Sequence, residues 1–358
     1  MPHLVVALSP HGYGHASMTA PVVARLREMI PDLRLTLHTS ISREWLATRY
    51  AEPFAVTGEI ADFGLVMHSA SEIDLIASAG AYRRQLVDWD KLVELEAGRL
   101  SVLSPDLLLA NVPHLTLAGA ALAKIPAVAL SCLNWAEIYA AYFQNEPEAE
   151  EIIGRIRAAY NSARCFIRPA PALPMPGLRD VRDVGPLARL GPKQSHELRR
   201  NLGLVDGERV GLVALGGIAT RLPIEDWPVH SGWRWLTPPE WRVSRADCRD
   251  WTASGMSFAA ILRSVDVVVT KVGYGTFTEA VCNGQPLLFA DRPDWPETPF
   301  LSAWLFAQGR GAVIGPEKLA NGDFAFELKE LMNLPSKIPP IPSGINEAAD
   351  IIAEMIRN

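Results

Sequence analysis

Short apolar runs alternate with stretches whose apolar residues recur at helical spacing. Residues 4–8 are continuously apolar and lead into the glycine-containing segment 9–15. Met18, Val22, Leu26, Met29 and Ile30 then fall on one face of a helix. Pro31 and Asp32 stop it, and Leu33, Leu35 and Leu37 alternate with polar residues as a second strand would. Residues 107–110 and 127–130 are two further apolar runs, each following a proline, with a helical pattern over 115–124 between them. Strand, helix and strand at this spacing require crossover connections, and hence a parallel sheet.

The pattern breaks and restarts. Residues 169–186 hold five prolines, which suits a last strand followed by a linker. Residues 210–215 form an apolar run ending in Gly216 and Gly217, and residues 265–269 another that leads into Lys271, Gly273 and Gly275. Short strands are predicted at 286–290 and 312–314, and an amphipathic helix at 345–356. The expected organisation is one α/β domain over 1–183, a second over 184–342, and a terminal helix over 343–358 that packs back on the first. Five of the ten tryptophans lie in residues 221–251, where a strand at 233–236 with aromatic-lined loops is expected. Residues 51–103 carry no readable signature.

A length of 358 residues exceeds what one core usually supports, in keeping with two domains. With 49% hydrophobic and 21% charged residues the chain is globular rather than disordered. A formal net charge of -6 argues against a nucleic-acid partner. Cys132, Cys165, Cys248 and Cys282 form no CxxC pair and no zinc spacing, so reduced thiols in a cytoplasmic protein are expected. No basic n-region precedes the first apolar run, and no run approaches a membrane span. Association with a membrane surface stays open.

Two segments carry candidate chemistry. The first is Ser9-Pro10-His11-Gly12-Tyr13-Gly14-His15, between the first strand and the first helix. As a dinucleotide fingerprint it lacks the third glycine, because Ser17 stands there, and the second strand ends without an acidic residue. As a metal pair, His11 and His15 are separated by two glycines and lack the glutamate of a zincin. A plain tight turn with surface histidines is a third reading. The fourth makes His15 a general base, since imidazole is largely neutral near pH 7.

The second segment is Thr270 followed by Lys271-Val272-Gly273-Tyr274-Gly275-Thr276-Phe277-Thr278-Glu279. A buried strand running through glycines into a helix presents free amides, on which a diphosphate can sit without a metal. Thr276 and Glu279 also have the spacing of a capping box, a purely structural alternative. Lys271 is either a point cation for phosphate or a solvated strand end.

These residues resemble the signatures of GT-B nucleotide-sugar glycosyltransferases. The N-terminal turn ending in Gly14-His15 is similar to that of plant-type UDP-glycosyltransferases and of the N-acetylglucosaminyltransferase of peptidoglycan synthesis. It is closer still to the glycosyltransferase-like half of L-arabinokinases. The Gly-x-x-Thr-x-x-Glu pattern followed by Gly284-Gln285-Pro286 is similar to their donor-binding motif.

The resemblance implies two Rossmann-like parallel-sheet domains facing across a cleft, and inverting, metal-independent transfer from a UDP-sugar to an acceptor hydroxyl. The acceptor would be a small molecule, a glycan or a lipid-linked sugar. It implies His15 as base and Asn111 in the place of the acidic residue that orients it. Gly14, Gly216, Gly217, Lys271, Gly273, Tyr274, Gly275, Thr276 and Glu279 would bind the donor. Asp294 and Glu297 would lie near its sugar, though the usual acidic-Gln pair is missing. His11, Ser131 and Asn134 fall on the acceptor side, the last two also suiting loop and capping roles. An epimerase or hydrolase on the same fold, or a non-catalytic nucleotide-sugar binder, remains an alternative.

Overall fold

The computed structural model describes every residue except 59, 61, 69–71, 217–219 and 358. The chain divides into two compact units, Met1–Leu187 with Ser343–Asn358, and Ala188–Pro342.

In the first unit the elements run β1 (His3–Leu8), α1 (Gly14–Met29), β2 (Arg34–His38), α2 (Arg43–Ala47) and β3 (Ala55–Val56). There follow α3 (Leu75–Val87), α4 (Trp89–Leu103), β4 (Leu107–Asn111), α5 (His114–Leu122) and β5 (Ala127–Leu130). The series ends with α6 (Trp135–Phe143), α7 (Ala149–Tyr160), β6 (Phe166–Pro169) and β7 (Val181–Val184). The second unit contains α8 (Ser195–Asn201), β8 (Arg209–Val213), β9 (Trp233–Thr237), β10 (Cys248–Asp250), α9 (Phe258–Ser264) and β11 (Val267–Lys271). It continues with α10 (Tyr274–Cys282), β12 (Leu287–Ala290), α11 (Thr298–Gln308), β13 (Gly311–Ile314), α12 (Pro316–Asn321) and α13 (Ala325–Asn333). The last helix, α14 (Gly344–Arg357), belongs to the first unit.

The first unit is built on a seven-stranded sheet ordered β3-β2-β1-β4-β5-β6-β7, the second on a six-stranded sheet ordered β10-β9-β8-β11-β12-β13. Every pairing between these strands is parallel. β1 and β4 are buried at every residue, which explains their continuous apolar runs. In both sheets chain order reverses beside the first strand, between β1 and β4 and between β8 and β11. Ligands of doubly wound sheets bind at such switch points, outside the carboxyl ends of the strands.

α14 packs its Ala348, Ala349, Ile352 and Ala353 face into the first unit, against α1 and β7. Its start meets the end of β7 closely: the Gly185 amide donates to Glu347 Oε2 at 2.7 Å, and a Cβ on Gly344 would lie 1.9 Å from the Gly185 carbonyl oxygen. No helix among the described residues is long and apolar enough to cross a membrane. All four cysteines are buried thiols outside any disulfide.

The tryptophan-rich stretch is core rather than an aromatic-lined loop. Trp227, Trp235 and Trp241 join Ile224, Phe324, Leu328 and the inner residues of β8, β11 and β12 in one buried cluster. Gly211 on β8 makes room for it, since a Cβ there would come within 2.2 Å of the Trp235 ring. Residues 51–103, unreadable in sequence, supply β3, α3 and α4.

Candidate functional site

At the switch point of the first unit, His15 occupies the first turn of α1 and Asn111 ends β4. Both are buried, His15 being 7% exposed. His15 Nδ1 and Asn111 Oδ1 are 2.9 Å apart. The hydroxyl of Thr19 donates to the His15 carbonyl at 2.8 Å and accepts from Asn111 Nδ2 at 2.8 Å. With its amide nitrogen so engaged, Asn111 turns its oxygen to the imidazole, so Nδ1 carries the proton and donates. The lone pair then resides on Nε2, which no described residue hydrogen-bonds. Burial pushes the His15 pKa below its ordinary value, opposed by the bond to Asn111, so the ring stays neutral.

A second cluster holds the adjoining loop. Ser9, one residue past β1, accepts from Trp135 Nε1 at 3.2 Å and from the Val112 amide at 3.3 Å, and its hydroxyl donates to Asp62 Oδ2. The Trp135 ring packs 5.8 Å from His15 and edge-on 5.3 Å from His11. Gly64 lets this happen: a Cβ there would meet Trp135 at 2.7 Å. Burial pushes the Asp62 carboxyl up to about 7, against the hydrogen bonds from Ser9 and Trp135 and with added repulsion from Glu96. Asp62 was not legible in sequence, because Ser9, to which it is hydrogen-bonded, lies 53 residues away along the chain. Tyr13, half-exposed beside His15 in sequence, stacks on Trp45 with ring centroids 4.2 Å apart.

At the switch point of the second unit, α10 starts at Tyr274 with Gly273 as its cap residue, and no side chain caps it. Thr276 is thus the third helical residue, and the capping box its spacing allowed does not form. The first intrahelical bond is Phe277 N to the Gly273 carbonyl, which leaves the preceding amides outside the ladder. Space for a Cβ is open at both Gly273 and Gly275. Gly216, at φ +74°, lies across from Thr276, whose Oγ1 would be 3.7 Å from an added Cβ. Lys271 ends β11 with no carboxylate partner among the described residues. Burial, and then the Arg292 charge, lower its pKa to about 8. The amides of Gly275 and Thr276, the helix dipole and the charges of Lys271 and Arg292 together suit an anion.

No protein-family model matches the chain. It is 26% identical over 369 aligned positions to L-arabinokinase of Arabidopsis thaliana, which covers 99% of this chain but 34% of that protein. The chain therefore spans about a third of that relative's length. Among solved structures it is similar to a UDP-glucosyltransferase from Polygonum tinctorium capable of glucosylating indoxyl, with TM-score 0.58, 15% identity, and 100% and 99% of the two chains covered. It is also similar to a UDP-N-acetylglucosamine 2-epimerase candidate from Listeria monocytogenes, with TM-score 0.53, 15% identity and 99% and 95% coverage. The fold is GT-B.

Within that GT-B framework the remaining sequence-derived residues take different places. Gly14, in the first turn of α1, is exposed with open space about it, and Glu279 sits half-buried on α10. Gly217 lies outside the described residues. Ser131 and Asn134, which the resemblance puts on the acceptor side, are both fully buried. Ser131 Oγ accepts from the Leu133 amide, and Asn134 Oδ1 caps α6 by accepting from Glu137 N at 2.9 Å. Glu297 is likewise drawn inward, its Oε2 accepting from Trp295 Nε1 at 2.8 Å, while Asp294 is exposed. The Glu297 carboxylate therefore braces the loop after β12. Among the described residues, no group of three or more His, Cys, Asp or Glu side chains could hold a metal ion.

Proposed function

We propose that this chain is an inverting, metal-independent glycosyltransferase that moves a sugar from a UDP-linked donor to an acceptor hydroxyl. The observation that carries the reading is the His15–Asn111 pair, which leaves a neutral imidazole with its lone pair on Nε2. In the proposed step the acceptor hydroxyl gives its proton to Nε2 as its oxygen bonds to the anomeric carbon. The bond from that carbon to the diphosphate oxygen breaks, and the electron pair leaves with the nucleoside diphosphate. The amides of Gly275 and Thr276 and the ammonium of Lys271 receive this charge. Glu279 takes the ribose hydroxyls, as its motif implies. The UDP-sugars named for both structural neighbours support a uridine donor.

A second reading is epimerisation of the sugar nucleotide, supported by the likeness to the Listeria monocytogenes structure. Incubating the chain with UDP-sugars, with and without hydroxylated acceptors, separates the two by NMR of the products. Transfer releases UDP only when an acceptor is present and gives a glycoside of inverted anomeric configuration. Epimerisation gives an isomeric UDP-sugar without acceptor. Failure of every UDP-sugar to raise the melting temperature, together with no UDP release, would contradict both.

A further inference from the structure

Two buried polar atoms of the first unit have no hydrogen-bond partner and lie 3.8 Å apart: Asp62 Oδ1 and His114 Nδ1. Their side chains are 0% and 1% exposed. His114 is the first residue of α5, and its other nitrogen, Nε2, is bonded to Gln85 Oε1 at 2.9 Å. An amide oxygen accepts, so Nε2 carries the hydrogen and Nδ1 presents a lone pair. Protonation of the ring is disfavoured by burial, which lowers its pKa to about 3, and by the positive end of the helix dipole. Asp62 Oδ2 already accepts the Ser9 hydroxyl. A lone pair on Nδ1 facing a bare carboxylate oxygen would leave two acceptors opposed in a dry interior. A proton on Oδ1, facing His114 Nδ1 across 3.8 Å, removes this opposition of two acceptors.

We propose that Asp62 is a positioning residue that works as a neutral carboxylic acid, directing its proton to His114 and using its second oxygen to fix Ser9 and Trp135 beside His15. Its relevance to catalysis rests on the reading of His15 as base; its protonation state does not.

The surroundings agree with a neutral acid. Among the described residues no cation is a cause of the Asp62 shift. Glu96 on α4 repels it and is itself a carboxylate, held below its ordinary range against burial by bonds from His38, Thr116 and Arg99. Tyr82 on α3 and Tyr160 on α7 also feel the Asp62 charge, and burial keeps both phenols protonated. Ser9 and Trp135 supply the two hydrogen bonds that oppose the rise. The acid clamps the point where the ends of β1 and β4 and the start of α6 meet, through one serine oxygen.

The sign of the pH effect follows. A carboxyl raised from 3.8 to about 7 stabilises the fold fully below pH 3.8, and that stability is lost as pH rises through 7. Asn is the non-titrating mimic of the protonated acid. The test compares melting temperatures of the full chain and Asp62→Asn between pH 5 and pH 8. We expect the variant to gain on the wild type by roughly 5 °C or more across that interval. A variant that instead falls further behind as pH rises would show that the carboxylate is the native form and overturn the proposal.

Wild-type protein labelled at the aspartate carboxyl carbon gives an independent reading by NMR. A buried carboxyl titrating near neutrality is expected, and titration of every aspartate near pH 4 would overturn the assignment. In turnover, Asp62→Asn should rescue most of what Asp62→Ala loses, and flatten the pH profile on its alkaline side. Loss of His15 function would leave the melting and NMR results unchanged, so the two readings fail separately.

Discussion

His15 owes its tautomer to a chain of three hydrogen bonds rather than to a charge. Thr19 orients Asn111, and Asn111 Oδ1 accepts the hydrogen bond from Nδ1–H. An amide can orient imidazole but offers no negative charge to the cation that forms during proton transfer. Asn111→Asp supplies that charge and should raise the His15 pKa. The acidic limb of the kcat profile, which in the native chain should lie below pH 6.5 because burial keeps the ring neutral, should then move upward. A kcat profile of both proteins checks this; an unmoved limb would separate Asn111 from the base. The native design favours a base that is still neutral in mildly acidic solution.

At the scale of elements, glycine decides how closely neighbours approach. The start of α14 lies against the end of β7 only because residue 344 has no side chain. Gly344→Ala would press a Cβ into backbone, where nothing can rotate away. Urea unfolding of the full chain should show a loss of about 1–3 kcal/mol, whereas Gly98→Ala, with open space around it, should cost nothing measurable. Such contacts are invisible in sequence, while the strands around them are not. Buried parallel strands read as unbroken apolar runs, so β1, β4, β5, β8, β11 and β12 were legible. The short, partly exposed β3 and β10 were not, and β6 was missed beside the proline-rich stretch. The glycine turns into α1 and α10 pointed to both switch points. Thr276 looked like a cap because spacing cannot tell the third helical residue from the residue before a helix. The strand expected at 233–236 is β9, but Trp227 and Trp241 looked like loop linings because their packing partners, including Phe324, are distant along the chain.

At the scale of the whole molecule, a chain of net charge -6 is expected to bind an anionic nucleotide, so local cations must outweigh the global charge. Lys271 is the cation whose state changes in the accessible range, with its pKa lowered to about 8. A bound diphosphate would raise it, so UDP binding should take up a proton near pH 8 and weaken above it. Lys271→Gln should weaken UDP by about tenfold and abolish that alkaline decline, both read by calorimetry at fixed ionic strength. Equal pH dependence in the two proteins would remove Lys271 from the donor surface.

The most direct test joins both switch points in one variant, His15→Ala, assayed for UDP binding by calorimetry and for sugar transfer from UDP-sugar. UDP affinity should stay within about twofold of the native chain, and turnover should fall by about 10²–10⁴-fold. Turnover equal to that of the native chain, with UDP still bound, would contradict the role of His15 as base.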